Sequence, residues 1–541
     1  MTKRRILLST GAVVLLAKLT GVPTLAAATD WPTYGFDLAR SRYNPREEII
    51  SRASASRLAV RWFFSTGSGT GAVTASPSVV GGVTYVGAWN GTMYALDAST
   101  GRPQWTFSIE DPHPERRGGF PGIQSSAAVV DGTVYFGAAD ANMYALDAQT
   151  GALKWKVSLG NPDIAVEGAH VWSSPAVFDG KVYVGKASHF DNPCVRGAVE
   201  ALDAASGAEV WRFDVLPANI CVDDPQVACS TNADCASGSC TPFLVCRSGT
   251  GPQPQSQLCT SDSDCTAPET CQPPIGGAVT SSPSIDPAAG VVYVSTGDCV
   301  ESGSTGFANA LVALDAQSGR LLWSFRPIPA GDLHDFDFVA SPNLFDEPGG
   351  KAVVGAGSKN GAYYTVDRST GALVWQSVQS AGGSLGGFNA STGSAFGRIF
   401  ASTFTGPPFE FALSTVDGSV AWQCSGAECD VSSFGPPGIA NGVALMGDNK
   451  GILRAFDADT GAVLKRVDLG GAISSGPAIV DGIVVVGAGT GGFGAAQKQG
   501  IYGLSLSGRA CTKALQRRGG SGETSSSARI LPRCPRLRRV R

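Results

Sequence analysis

The sequence predicts an all-β fold, a β-propeller of eight four-stranded blades. Three observations predict it. An apolar residue, Ala-Leu-Asp, a following Gly and then a Trp recur along the chain at blade-sized intervals. Charged residues make up only 16% of the 541, and 70 glycines punctuate many short apolar runs, as in an all-β chain full of turns. The last copy of the pattern lacks an outer strand, while a lone Trp-bearing strand, Leu58 to Phe64, stands near the start.

The clear copies run from Tyr94 to Trp105, Tyr144 to Trp155, Val199 to Trp211 and Leu311 to Trp323. Weaker ones run from Tyr364 to Trp375, Ala412 to Trp422 and Arg454 to Lys465, and a half-copy spans Tyr502 to Gly508. In each, the Ala-Leu-Asp segment reads as a strand, the Asp-to-Gly stretch as a tight turn with Gly at positive φ, and the Trp segment as the antiparallel partner. A second hairpin precedes most copies, such as Ala75 to Val80 and Val83 to Ala88 about Gly81-Gly82. Four strands per repeat make a blade. Counting Ala-Leu-Asp strands gives eight blades; the degenerate sixth and eighth copies leave seven as the competing count. The Trp62 strand is expected to close the last blade against Tyr502 to Leu506, which hides two sheet edges. A Trp at one place in every blade is expected to pack on the neighbouring blade.

Residues 1–28 read as a signal peptide: Lys3, Arg4 and Arg5, an apolar run from Ile6 to Leu16, and Ala26-Ala27-Ala28 for cleavage. The mature chain is then expected in the periplasm or outside the cell, with no membrane span after cleavage. Fourteen cysteines fit such an oxidising compartment. The propeller occupies 29–218 and 275–508. Between them, 219–274 is a Cys-rich insertion that the repeat count places within the fourth blade. Its eight cysteines, Cys221 to Cys271, allow 105 pairings and form two similar units. Zinc fits poorly there, because the segment has no histidine and no paired CxxC. Cys424 and Cys429 are close enough to pair. The tail, 509–541, carries ten Arg or Lys against Glu523 alone and reads as disordered. The net charge of −4 excludes a nucleic-acid partner on charge grounds.

The repeats resemble those of pyrroloquinoline quinone (PQQ) alcohol dehydrogenases, over about residues 30 to 508 without the insertion. Asp30-Trp31-Pro32-Thr33-Tyr34-Gly35 and Ser41-Arg42-Tyr43-Asn44-Pro45 look like the start of that family. Asp335-Phe336-Asp337-Phe338, Ala340-Ser341-Pro342-Asn343-Leu344, Ser358-Lys359-Asn360-Gly361 and Val366-Asp367-Arg368 are most similar to the polyvinyl-alcohol dehydrogenase type. The resemblance implies oxidation of an alcohol: a carboxylate takes the hydroxyl proton, hydride passes to the quinone, and a cation polarises its carbonyls. Asp335 matches the catalytic base and Lys359 the basic residue at the quinone oxygens. Asp191, Asp298 and Asp337 match metal-ligand positions for calcium or a lanthanide; hard oxygen donors suit either ion.

Several positions depart from the family. Thr280 replaces the Trp that floors the quinone in methanol dehydrogenase, Gln124 replaces an Arg that often contacts the cofactor, and Thr74 replaces a Glu. The vicinal Cys pair is absent; only Cys194 remains near the matching motif. It and Cys299 flank two candidate site loops and are candidates to pair with each other or with the insertion. No CxxCH occurs, so electrons are expected to leave through a separate carrier such as a cytochrome c. The substrate class is a small or polymeric alcohol. The histidines, His113, His170, His189 and His334, show no metal-ligand spacing. The alternative function is a non-catalytic scaffold that binds proteins in the cell envelope, since such propellers carry the same repeats.

Overall fold

The computed structural model describes residues 30–507, apart from 68, 70, 111–120, 164–165, 189–193, 224–228, 230, 237, 249–256, 298–306, 330–331, 333, 428 and 490–497. The expected signal peptide and basic tail lie outside the described residues. The first blade is made of β1 (Ser78–Val80), β2 (Val83–Gly87), β3 (Thr92–Asp97) and β4 (Pro103–Ser108), paired antiparallel from the axis outward. Seven more blades follow, with inner strands beginning at Ala128, Ala176, Ser284, Asn343, Gly393, Gly438 and Ala478. The count is therefore eight. The eighth blade takes its outer strand from the start of the chain: Leu58–Ser65 pairs antiparallel with Gly500–Leu506, Trp62 opposite Gly503.

The recurring Trp explains why the blades stay together. Each indole lies on the turn glycine of the next blade: Trp62 on Gly101, Trp105 on Gly151, Trp155 on Gly207, Trp211 on Gly319, Trp323 on Gly371, Trp375 on Gly418 and Trp422 on Gly461. A Cβ on Gly101 would sit 2.5 Å from the Trp62 ring, and its φ of +71° is itself a conformation that favours glycine. The preceding Asp makes that turn, accepting the amides of Ser99 and Thr100 on its side chain in the first blade. Six of the seven indoles also donate Nε1–H to the carbonyl just after that Asp, as Trp62 does to Ala98 at 3.0 Å. Trp375 instead donates to Glu347. At the seventh-to-eighth junction Lys465 stands where the Trp belongs. There the short 3₁₀ helix Ala55–Arg57 packs against Val463–Asp468 and Gly500–Leu506.

A second device was not anticipated from the sequence. Residues 31–44 cross the bottom of the ring and reach all eight blades. The carbonyls of Pro32, Leu38, Ala39, Ser41 and Arg42 accept the amides of Val129, Ile285, Leu344, Ser394 and Ile439. Trp31 bridges Val79, Arg40 reaches Pro175 O, and Asn44 reaches Ile479 O. These bonds satisfy inner-edge groups that would otherwise be buried without partners.

The insertion corrects one expectation. It does not interrupt the fourth blade but sits in the connection between the outer strand Glu209–Asp214 and the next inner strand, Ser284–Asp286. No blade pairing is broken. Two ribbons form it, Asn219–Cys221 with Cys240–Pro242 and Val245–Arg247 with Thr270–Gln272. Each carries two interlaced disulfides, Cys221–Cys235 with Cys229–Cys240, and Cys246–Cys265 with Cys259–Cys271. The close cysteine groups are thus used in disulfides. Its apolar centre is only Ile220, Phe243 and Val245, so the cross-links replace a core. Cys424 and Cys429 pair as expected, and Cys194 is also disulfide-bonded.

Two outcomes follow. Trp62→Ala should cost about 3–5 kcal/mol in urea unfolding and Gly101→Ala about 1–3 kcal/mol; the double variant should lose clearly less than the sum, because both changes strike one contact. Strict additivity would contradict the lock. Replacing 219–274 by a short Gly-Ser bridge should leave a compact ring by small-angle scattering, since Leu216 and Gly277 on either side already pack together. Collapse of soluble expression would count against that independence.

Candidate active site

The lead-in to each inner strand turns two residues toward the axis. The lower ring is Ser76, Ser126, Ser174, Ser282, Ser341 and Ser391, with Pro436 and Gly476 in the last two blades. Its members are linked around the axis: the amides of Ser76, Ser126, Ser174, Ser282 and Ser341 each donate to the serine hydroxyl of the following blade at 2.8–3.0 Å. Gly476 N donates to Ser76 Oγ and extends the row into the eighth blade. The upper layer, two residues earlier, is Thr74, Gln124, Trp172, Thr280, Val339, Asn389, Phe434 and Ser474. Together these layers wall a cavity of about 440 Å³. Tyr34, from the segment under the ring, forms its floor; the hydroxyl donates to Ser391 at 2.9 Å and the Arg42 guanidinium lies 4.1 Å from the ring centroid.

Among the described residues, the charged side chains lining this cavity are Asp335, Asp337 and Lys359, all from the fifth blade. Lys359 Nζ donates to Asp335 Oδ1 and to Asp337 Oδ2, both at 2.7 Å. Residues 335–339 form no strand, yet both carboxylates of the segment reach the same lysine. Phe338 anchors the segment in the core against Tyr364. The lysine is held from both sides of its backbone: Lys359 N donates to Asp337 O, and Lys359 O accepts from Gly383 N. Burial, then the charge of Asp337, pushes the Asp335 carboxyl up to about 8, with Lys359 only partly offsetting. Burial alone would lower Lys359, but the two carboxylates outweigh it and hold it above the usual lysine range. One ammonium thus serves two carboxylates in this wall.

Gln124 and Thr280 line the same cavity. Gln124 donates Nε2–H to Pro121 O, while its buried Oε1 has no hydrogen-bond partner. Asp191 and Asp298 lie outside the described residues. Their described chain neighbours, Ser188 and Gly297, line the cavity, and a Cβ on Gly297 would meet Asp337 Oδ1 at 2.7 Å. His334 points away, bonded to Asp332 and exposed. Sequence reading missed the aromatic wall, Trp172, Phe434 and Trp89. Trp172 stacks on His170, 4.5 Å between centroids, and ties Nε1 to Ser188 O. The repeat did carry the signal: each upper-layer residue stands two places before the ring position.

The chain matches the profile of the glucose/ethanol/alcohol dehydrogenase β-propeller domain, a PQQ family, over residues 31–234 and 264–381. The chain belongs to this family. The gap in the match falls inside the disulfide-rich insertion. Residues 410–510 match the profile of the outer membrane protein assembly factor BamB. Among curated relatives, the polyvinylalcohol dehydrogenase of Sphingopyxis sp. (strain 113P3) is 25% identical over 82% of this chain and 68% of its own length. The quinohemoprotein alcohol dehydrogenase of Comamonas testosteroni is 29% identical over 64% of this chain and 46% of its own. The chain thus spans about half the length of that quinohemoprotein relative. A europium-containing methanol dehydrogenase shares the fold, with a TM-score of 0.71 at 19% identity over 88% of this chain and 98% of that one.

The charge balance of this quinoprotein wall can be tested without cofactor. Lys359→Met should destabilise the protein by about 3–5 kcal/mol in urea unfolding, because two buried carboxylates then face each other. Asp337→Asn should cost less, since the Asp335–Lys359 pair survives. Equal losses would show that the lysine does not neutralise the pair.

Proposed function

We propose that this protein oxidises an alcohol in the periplasm or outside the cell, with PQQ and a bound calcium or lanthanide ion. The observation that carries the reading is the Asp335–Asp337–Lys359 cluster, set in the wall of a closed-floored cavity in a chain of the quinoprotein family. PQQ, when bound, supplies the hydride acceptor. The residues present fit it: Lys359 offers a fixed positive charge for its oxygens, and Gln124 offers a buried polar atom that still lacks a partner. A cation fits as well, because carboxylate oxygens are hard donors that suit calcium or a lanthanide. Asp337, with Asp191 and Asp298, would hold it.

In this reading Asp335 takes the alcohol's hydroxyl proton. Its place beside Lys359 keeps the ionised form available, and its raised affinity for the proton suits a base that works near neutral pH. Asp337 orients Lys359 from the other side. The serine ring and Tyr34 close the cavity from below, so solvent reaches the cluster from the open face only. Thr280, in place of a large aromatic, leaves less surface under the cofactor and implies weak retention during purification. Electrons then pass to a separate acceptor such as a cytochrome c. The disulfides agree with an oxidising compartment, and no helix among the described residues is long and apolar enough to cross a membrane.

The envelope-scaffold alternative draws on the assembly-factor match at 410–510. That stretch covers the outer half of the sixth blade and the strands of the seventh and eighth, and among the described residues it brings no charged side chain to the cavity. A scaffold has no use for a buried acid–base cluster, and this favours catalysis.

Purified protein given PQQ with calcium or lanthanum should gain thermal stability and reduce a dye when an alcohol is added. Asp335→Asn should lower kcat by about 10²-fold or more with the melting temperature nearly unchanged. No thermal shift and no dye reduction with either ion would overturn the proposal.

A further inference from the structure

The serine row on the axis has a property that the proposed oxidation does not use. The hydroxyl oxygens of Ser76, Ser126, Ser174, Ser282, Ser341 and Ser391 each accept a backbone amide, and Ser391 also accepts the Tyr34 hydroxyl. All six serines are buried and line the cavity. Among the described residues, none of the six gives its own hydroxyl hydrogen to a protein acceptor. A hydroxyl engaged through its oxygen still has a hydrogen to donate. Six donors therefore border one axial space.

Arg42 stands in the arc where the row has no serine. A Cβ on Gly476 would meet Arg42 Nη1 and Ser76 Oγ, each at 2.9 Å, and Pro436 Cγ at 3.0 Å. A serine in the eighth blade would strike the guanidinium, so the arginine takes its place. Arg42 is 1% exposed, and its Nε and Nη2 have no hydrogen-bond partner among the described residues. Its neighbour is the face of Tyr34, and no carboxylate is among the groups that act on its charge. Arg40, two residues earlier, shows the contrast: its guanidinium donates to Thr33 Oγ1 and to the carbonyls of Tyr34, Pro175 and Pro283. The Arg42 backbone is also fixed, with N bonded to Gly35 O and O to Ile439 N. Its φ of +56° lies in the left-handed region, which disfavours an arginine, so the fold holds this cation in place against backbone preference.

We propose that the serine row and Arg42 bind one small monoanion on the axis, a halide such as chloride or a small carboxylate such as formate. The inference is independent of the alcohol oxidation. The donors decide the sign of the ligand: a guanidinium has no acceptor, and the serine oxygens are already engaged. A buried guanidinium without a counter-charge is strongly unfavourable, and neither layer of the cavity contains an acidic residue. Water would satisfy the hydroxyls and leave that charge uncompensated. One guanidinium balances one negative charge. Arg42 belongs to the segment that reaches all eight blades, so occupancy should stabilise the closed ring as a whole.

The test uses the purified full chain in potassium gluconate, with chloride replacing gluconate at constant ionic strength. The melting temperature should rise by about 1–2 °C per tenfold chloride above the dissociation constant. Bromide and formate should act in the same way. Arg42→Gln, which keeps a planar polar group and removes the charge, should lose this dependence. Crystals soaked in bromide should show an anomalous peak in contact with the Arg42 guanidinium and the serine hydroxyls. That map and the wild-type titration decide the matter even where the variant does not fold. A chloride-independent melting temperature in wild type, or a bromide map with no peak on the axis, overturns the inference. So does an Arg42→Gln protein that keeps the full chloride response. None of these measurements needs PQQ or an alcohol, so their failure leaves the oxidation reading standing.

Discussion

An indole resting on a glycine is the contact on which this molecule depends. A ring of sheets needs each sheet to grip the next. The grip is a Trp from one outer strand lying on the Cα of the next blade's turn, at seven of eight junctions. Glycine is required twice there, for its φ and for the missing side chain. Where the Trp gives way to Lys465, the 3₁₀ helix at Ala55–Arg57 packs against the seventh and eighth blades instead.

Closing the ring creates a channel, and a channel is not yet a site. The segment 31–44 converts one into the other by crossing every blade from below and setting Tyr34 as a floor. The serine ring joins the same level laterally. With solvent confined to one side, the Asp335–Lys359–Asp337 group sits in a wall where charge is felt strongly, which is why its carboxyl is pushed up and its ammonium is held charged. The Gly-rich loop at 382–387 then fixes the lysine's backbone.

Much of this was readable in the residues. Ala-Leu-Asp, the turn glycine and the Trp stand within one hairpin, so their spacing records local geometry, and counting them gave eight blades. The unmatched Trp62 strand and the unfinished Tyr502 strand implied each other because an open sheet edge is costly to leave. Asp335 and Lys359 emerged from motif likeness, and the structure puts them in contact. Asp337, put forward as a metal ligand, reaches Lys359 from the other side. The insertion was readable as disulfide-built, but its position within a blade was misjudged, because a count of repeats does not show which connection carries an extra segment.

What the sequence determined by itself was therefore the blade, the number of blades and the strand that seals them, since hydrogen-bonded turns and alternating burial are local and leave a period. What only the tertiary structure decided was which residues meet at the axis. Thr74 and Phe434 are hundreds of residues apart and become walls of one cavity only after the ring shuts. The pairing within Cys221–Cys271 and the path of residues 31–44 beneath the blades belong to the same class. Each depends on where separate blades come to lie in space, and no local spacing encodes that.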